Sequence, residues 1–194
     1  MIAAMTMSVF SSPIPSGMAS RKNNVKLFIG LLSQHEEHFR KVRDRLIEKF
    51  GPIDLASDIM DFDQTDYYEK EFGKGLKRMF YSFAQTRPIE NIHKVKVITC
   101  EIERGMSVNK KRTVNIDPGY ITMAKLVLLT TKDYSHRIYI GNGIFAEVTL
   151  TYKNNEFAPW ECTYPDYKRK DYLKYFRRVR GVYAGQIKAT GKRA

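Results

Sequence analysis

VKLFIGLL at 25–32 is a continuous apolar run, the pattern of a strand buried on both faces. The period then changes. Phe39, Val42, Leu46 and Phe50 recur at helical spacing, Ser33 with Glu36 three residues on has the form of a capping box, and Gly51–Pro52 stops the run. Residues 53–83 read as strands joined by turns: IDLASDIMDF, DYYEKEF and, after Gly73–Lys74–Gly75, LKRMFYSF, where Met79, Tyr81 and Phe83 alternate with polar positions as in a half-buried strand. Pro88 suits the first turn of a second helix with Ile89, Ile92, Val95, Thr99, Ile102 and Met106 on one face, although Val95 and Val97 also fit a strand.

Residues 113–152 form a β region. Asp117–Pro118–Gly119–Tyr120 is a turn signal, and KLVLLTT is a second doubly buried strand. A hairpin follows around Gly141–Asn142–Gly143. A two-residue turn would place Arg137 opposite Val148 in the core. A three-residue loop sets Ile140 opposite Ile144, Ile138 opposite Ala146 and Arg137 opposite Glu147, which collects one apolar face and is the register predicted. The last element, 168–183, has Tyr172, Tyr175, Phe176, Val179, Val182 and Tyr183 on one stripe and Lys170, Lys174, Arg177 and Arg178 opposite. The expected organisation is α+β, a mostly antiparallel or mixed sheet with about three helices, in a single domain over 25–183. Residues 1–24 read as a disordered leader and 184–194 as a basic flexible tail.

The formal net charge of +12 changes this picture less than its distribution does. Residues 168–194 hold ten Lys or Arg against the single Asp171, which leaves +3 for residues 1–167. Basicity is thus mainly a property of the last segment. Cys100 and Cys162 are far apart and belong to no metal-ligand spacing, as in a cytoplasmic protein with reduced thiols. No apolar run reaches the ~18 residues of a membrane span. Zinc motifs, a nucleophile elbow and Rossmann glycines are also lacking, which argues against several large enzyme classes.

Three sets of residues are candidates for chemistry. Asp117, Lys132, Asp133, His136, Arg137 and Glu147 interrupt the most apolar part of the chain and include proton carriers and oxyanion clamps. Their ordinary reading is an Asx turn, a loop and a cross-strand ion pair, with His136 on the core face beside Ile138 and Ile140. Asp61, Asp63 and Asp66 could hold a divalent cation through oxygen, although Thr65, the missing sixth-position Gly and Phe72 exclude an EF-hand. Lys170, Lys174, Arg177 and Arg178 could neutralise nucleic-acid phosphates, but their aromatic neighbours lie on the opposite face, so the ordinary reading is a solvated cationic surface.

The strings KLFIGLLS, FGPID, TDYYEKEFG, NIDPGY, TKDYSHRIYIGNGIFAEVTL and TYPDY resemble a prokaryotic family known only as a domain of unknown function, number 4416, over roughly 25–183. Gln64, where an aromatic residue is expected, and the gap between Trp160 and TYPDY depart from it. Some members are labelled GTP-binding. No G-x-x-x-x-G-K-[ST] loop and no Asn-Lys-x-Asp occur here, so a P-loop GTPase is not expected. The leading functional expectation is binding of an anionic, phosphate-bearing ligand, a nucleotide or RNA. Its alternatives are an enzyme using acid–base or metal-assisted chemistry on a small molecule, and an interaction module with a basic helix. Cofactor and oligomeric state are left open.

Overall fold

The first apolar run becomes the central strand of the fold. In the computed structural model, which describes residues 23–65 and 67–191, the elements are β1 (Asn24–Ser33), α1 (Glu36–Phe50), β2 (Ile53–Ala56), β3 (Met60–Asp61), α2 (Glu69–Phe72), β4 (Lys77–Phe83), β5 (Arg87–Pro88), α3 (His93–Gly105), β6 (Asn115–Ile121), β7 (Lys125–Thr130), β8 (Ile138–Gly141), β9 (Ile144–Lys153), β10 (Glu156–Pro159) and α4 (Lys170–Gly191). The antiparallel sheet runs β10-β9-β7-β6-β1-β4-β2, with β3 on β4, β5 on β1 and β8 on β9. The fold is α+β. The sequence-based leader lies outside the described residues up to position 22; Asn24 already belongs to β1, and its carbonyl accepts a hydrogen bond from the Tyr183 hydroxyl at 2.5 Å. At the other end α4 continues to Gly191 instead of stopping at 183.

The period-two alternation of β1 divides the core. Val25, Leu27, Ile29 and Leu31 pack with Phe39, Val42, Leu46 and Phe50 of α1 and with Val95 and Ile102 of α3. Phe28 faces the other way, toward Phe80 and the aromatic stripe of α4: Tyr172, Tyr175, Phe176 and Val179. Lys26 on that face is fully buried and is held by Asp54 and, at 3.2 Å, by Gln186 of α4. Lys170, Lys174, Arg177 and Arg178 are exposed, as the amphipathic pattern predicts.

Several local expectations are corrected. Ser33 caps no helix: it ends β1, and its hydroxyl bonds His38 Nδ1 and the Thr113 carbonyl, each at 2.8 Å. DYYEKEF is not a strand; Glu69–Phe72 form the short α2, which buries Phe72 against Leu32, Phe62 and Leu76. β4 is not half-buried, because β1 and β2 flank it and helices cover both sides, so Arg78, Phe80 and Ser82 are as buried as Tyr81 and Phe83.

The hairpin keeps the predicted pairs Ile138–Ala146 and Tyr139–Phe145, but its tip shifts so that Gly141, not Ile140, pairs with Ile144. Asn142 and Gly143 both have positive φ, 52° and 71°, the signature of a primed two-residue turn. The bulge between Tyr139 and Gly141 reconciles that turn with the Arg137–Glu147 pairing. β8 has a strand neighbour on one side only, so Ile138 is 72% exposed and not part of the core.

The most consequential correction concerns Asp117–Pro118–Gly119, which lies inside β6 and makes no turn. β6 pairs with β1 from Ile121 to Asn115, yet with β7 only over Gly119–Leu128, Tyr120–Val127 and Ile121–Leu126. Beyond Gly119 the two strands fork. Ile116 directs its amide and carbonyl away from β1, since both are bonded by side chains of α3. Alternation turns the donor-less nitrogen of Pro118 toward the same side, so the next rung to β7 lacks its hydrogen.

Two substitutions test this packing by chemical or thermal unfolding. Phe176→Ala should cost about 3–5 kcal/mol, whereas neutral replacements of Lys170, Lys174 and Arg177 should leave the melting midpoint unchanged. Gly119→Ala places a Cβ 2.5 Å from both Phe28 Cζ and the Val127 carbonyl oxygen, a backbone atom that cannot swing away. A loss of at least about 1–3 kcal/mol is expected.

Candidate functional site

Where β6 and β7 part, a cavity of about 570 Å³ opens on the α4 side of the sheet and reaches α3 through the fork. β4 contributes Arg78, β6 Asn115 and Asp117, β7 Leu128 to Thr130, and β9 Glu147. The 131–137 loop contributes Lys132, Tyr134, His136 and Arg137, α3 Lys96, Cys100 and Glu103, and the segment before α4 Tyr164, Asp166 and Tyr167. Tyr67 and Tyr68 close one side. A volume in the range ~300–1,000 Å³ is that of a small-molecule site.

The floor is a charge network built around Arg78, which is 2% exposed. Its Nη1 donates to Asp117 Oδ2 at 3.1 Å and its Nη2 to Asp166 Oδ2 at 3.5 Å, while Phe62 and Phe80 lie beneath the guanidinium at 5.1 and 5.8 Å. Arg78 on β4 and Asp117 on β6 are separated by β1, where Gly30 stands. A Cβ at Gly30 would meet Arg78 Nη1 at 3.2 Å and Phe80 Cε1 at 2.9 Å, so the glycine makes the passage across β1. Asn115 donates to Asp117 Oδ2 at 2.7 Å and accepts from Arg112 Nη1 at 3.0 Å. Arg112 makes a two-pronged pair with Glu71, at 2.6 and 2.7 Å.

The fork explains two buried charges on α3. Lys96 Nζ donates to the Ile116 carbonyl at 2.8 Å, and Glu103 Oε1 accepts from the Ile116 amide at 2.6 Å. These side chains replace the strand that β6 has lost, and they sit on one helix face with Thr99.

Along the wall, Glu147 is buried and receives Arg137 Nε at 2.8 Å and His136 Nε2 at 2.7 Å on the same oxygen. The predicted Arg137–Glu147 pairing therefore holds, but His136 belongs to the cavity wall and not to the core face. Arg137 also donates to the Lys132 carbonyl at 2.8 Å and to the Tyr164 hydroxyl, and stacks over Tyr134 at 4.8 Å. Lys132 meets the Tyr67 hydroxyl, 4.6 Å from the ring centroid.

The structure thus brings together Asp117, Lys132, His136, Arg137 and Glu147, and leaves Asp133 exposed outside the lining. Of the acidic trio, Asp63 pairs with Arg169 at 3.4 Å, Asp61 is exposed, and Asp66 lies outside the described residues. Lys170, Lys174, Arg177 and Arg178 line no part of the cavity. Sequence reasoning missed Arg78, Lys96, Glu103, Arg112, Asp166 and the tyrosines. A signal for Lys96 and Glu103 was available, since they are seven residues apart beside Thr99 and flank the apolar stripe of α3.

Burial alone would raise the Asp117 carboxyl, but Arg78 and Lys96 beside it, with the Arg78 and Asn115 hydrogen bonds, hold it below the usual carboxylate value. Asp166 goes the other way: burial raises it, the charge of Asp117 adds to the rise, and Arg78 only partly offsets them. Burial likewise raises Glu103 against the pull of Lys96. The two aspartates should therefore show opposite pH dependence. A depressed folded pKa stabilises above the ordinary aspartate pKa of about 3.9 and loses that stability as pH falls through the folded value. A raised one reverses the sign. The stability advantage of the wild type over Asp117→Asn should shrink on acidification, and that over Asp166→Asn should grow, in urea titrations across pH 3 to 7. Arg78→Met, which leaves both carboxylates buried without their cation, should cost about 3–5 kcal/mol at neutral pH.

No curated protein and no solved structure matches the chain. The model of one family does, over residues 23–183, a span that contains every cavity-lining residue. The chain belongs to the family described as a domain of unknown function, DUF4416.

Proposed function

We propose that the protein is a cytoplasmic binding domain for a small anionic, phosphate-bearing molecule, and that the forked-sheet cavity is its site. One observation carries this reading. Lys96 and Lys132 line the same cavity, one at its floor and one at its mouth, and among the described residues neither ammonium has a carboxylate within ion-pair distance. The three arginines of the lining, by contrast, are all paired with carboxylates. Two lysines without ion-pair partners at one cleft favour an anion, and the attraction of the buried Lys96 is screened less there than at an open surface. A concave site of this volume suits a nucleotide-sized molecule better than an RNA strand, and no helix among the described residues is long and apolar enough to cross a membrane.

A second reading, acid–base chemistry on the same ligand, is favoured by the Glu147-held imidazole of His136 at the cavity wall and by the opposite displacements of Asp117 and Asp166. His136→Gln would then abolish turnover while leaving binding in place.

Isothermal titration with inorganic phosphate and nucleoside phosphates tests the binding reading. Lys132→Ala should weaken affinity at least tenfold with the melting midpoint unchanged, since Lys132 is exposed. Neutral replacements of Lys170, Lys174 and Arg177 should leave affinity as it is. Asp117→Ala is the poorer variant, because it strips Arg78 of its main partner and disturbs the fold. Absence of binding by every phosphate compound would refute the reading.

A further inference from the structure

We infer that the ligand of this cavity carries a planar aromatic ring, which stacks on Tyr67 and Tyr134 at the mouth. The inference rests on the anion-binding reading above and adds a chemical class to it. Tyr67 and Tyr134 are 61% and 63% exposed, the highest exposures among the tyrosines of the lining, yet both line the cavity. Exposed rings of this size are ordinarily wasteful in water. Neither is a loose surface group. Lys132 bonds the Tyr67 hydroxyl, 4.6 Å from the ring centroid; Arg137, itself fixed by Glu147, lies 4.8 Å over Tyr134. Tyr67 also meets Tyr68 edge-on at 5.0 Å.

Tyr134 therefore has one face covered by a cation and Tyr67 has its hydroxyl edge held by one, and more than half of each residue stays exposed, which leaves ring surface for a ligand. A cation held against a ring fixes its orientation before any ligand arrives, so little conformational entropy remains to be lost on stacking. The Arg137 guanidinium also ties the two positions together, because it donates to the Lys132 carbonyl at 2.8 Å and thereby holds the loop that carries Lys132 and Tyr134. Ring and charge recognition then sit side by side. A ligand ring on the free tyrosine face lies next to the ammonium of Lys132, which can meet an anion on the same molecule. Aromatic platforms next to cations are the usual means of holding a base and its phosphate without reading the base identity. An anion lacking a ring would leave both tyrosine faces in water.

Binding of adenosine 5′-monophosphate, adenosine, ribose 5-phosphate and inorganic phosphate to the full chain, by titration calorimetry, separates the two readings. The monophosphate should bind at least tenfold more tightly than ribose 5-phosphate, the scale of one stacking contact. Tyr67→Ala combined with Tyr134→Ala should abolish that preference while leaving ribose 5-phosphate binding unchanged, and the corresponding Phe variants should keep it. The Phe variants guard against loss through misfolding. Equal affinity for the monophosphate and ribose 5-phosphate, or a preference that survives in the double Ala variant, overturns the aromatic inference and leaves the anion site standing. Adenosine binding as tightly as its monophosphate keeps the ring and overturns the phosphate. If none of the four compounds binds, both are overturned.

Discussion

The missing hydrogen on Pro118 is the constraint from which most of this structure follows. A strand can continue past a proline only where no neighbour needs its amide, and β7 leaves β6 at that position. Once the strands separate, the Ile116 amide and carbonyl face a gap. Left unpaired and buried, each would cost about 1–3 kcal/mol. α3 crosses the gap and supplies Glu103 to the amide and Lys96 to the carbonyl. The fork thus creates the cavity and, in the same step, introduces two ionisable groups into it.

Those groups then set the electrostatics of the rest. Desolvating an arginine such as Arg78 costs several kcal/mol, so it needs acceptors on more than one side. Asp117 and Asp166 supply them from different elements, and Gly30 gives the guanidinium a path over the central strand. Two carboxylates around one cation cannot both be fully compensated. The one with Asn115 as a second hydrogen-bond donor and the charge of Lys96 in its vicinity keeps a low pKa, and Asp166 does not. The asymmetry follows from where the strands end, and it leaves Asp117, with 25% of its side chain open against 7% for Asp166, as the more accessible of the two in the cavity.

What the sequence made legible was whatever depends on period alone. The apolar run of β1, the α1 stripe, the doubly buried β7 and the two-faced α4 all follow from spacing, because burial on one or two faces is a local property of the pattern. Arg137 and Glu147 were legible as neighbours because only one strand register keeps their charges out of the core. Arg78 was not. It occupies a polar position in an alternation that looked one-sided, and nothing local says that α4 and the segment before it will cover its other face as well. Asp117–Pro118–Gly119 failed for a related reason: proline and glycine mark a break in strand pairing, and a break is a turn when the chain reverses but a fork when a neighbouring strand departs. That choice belongs to tertiary structure.

The same ambiguity explains why so much of the cavity comes from segments that read as connections. NIDPGY yields Asn115 and Asp117, the loop before β8 yields Lys132 to Arg137, and TYPDY yields Tyr164, Asp166 and Tyr167. Regular ladders satisfy their own backbone and leave no polar group to offer. Where pairing stops, side chains must complete the hydrogen bonding, and polar residues gather there whether or not a ligand exists. The arginines of this lining follow that rule, since each is engaged with a carboxylate of the protein. Lys132 departs from it. Its ammonium meets the hydroxyl of an exposed tyrosine at the mouth of a cavity whose other cations are already engaged with the protein, and folding alone does not require a charge there.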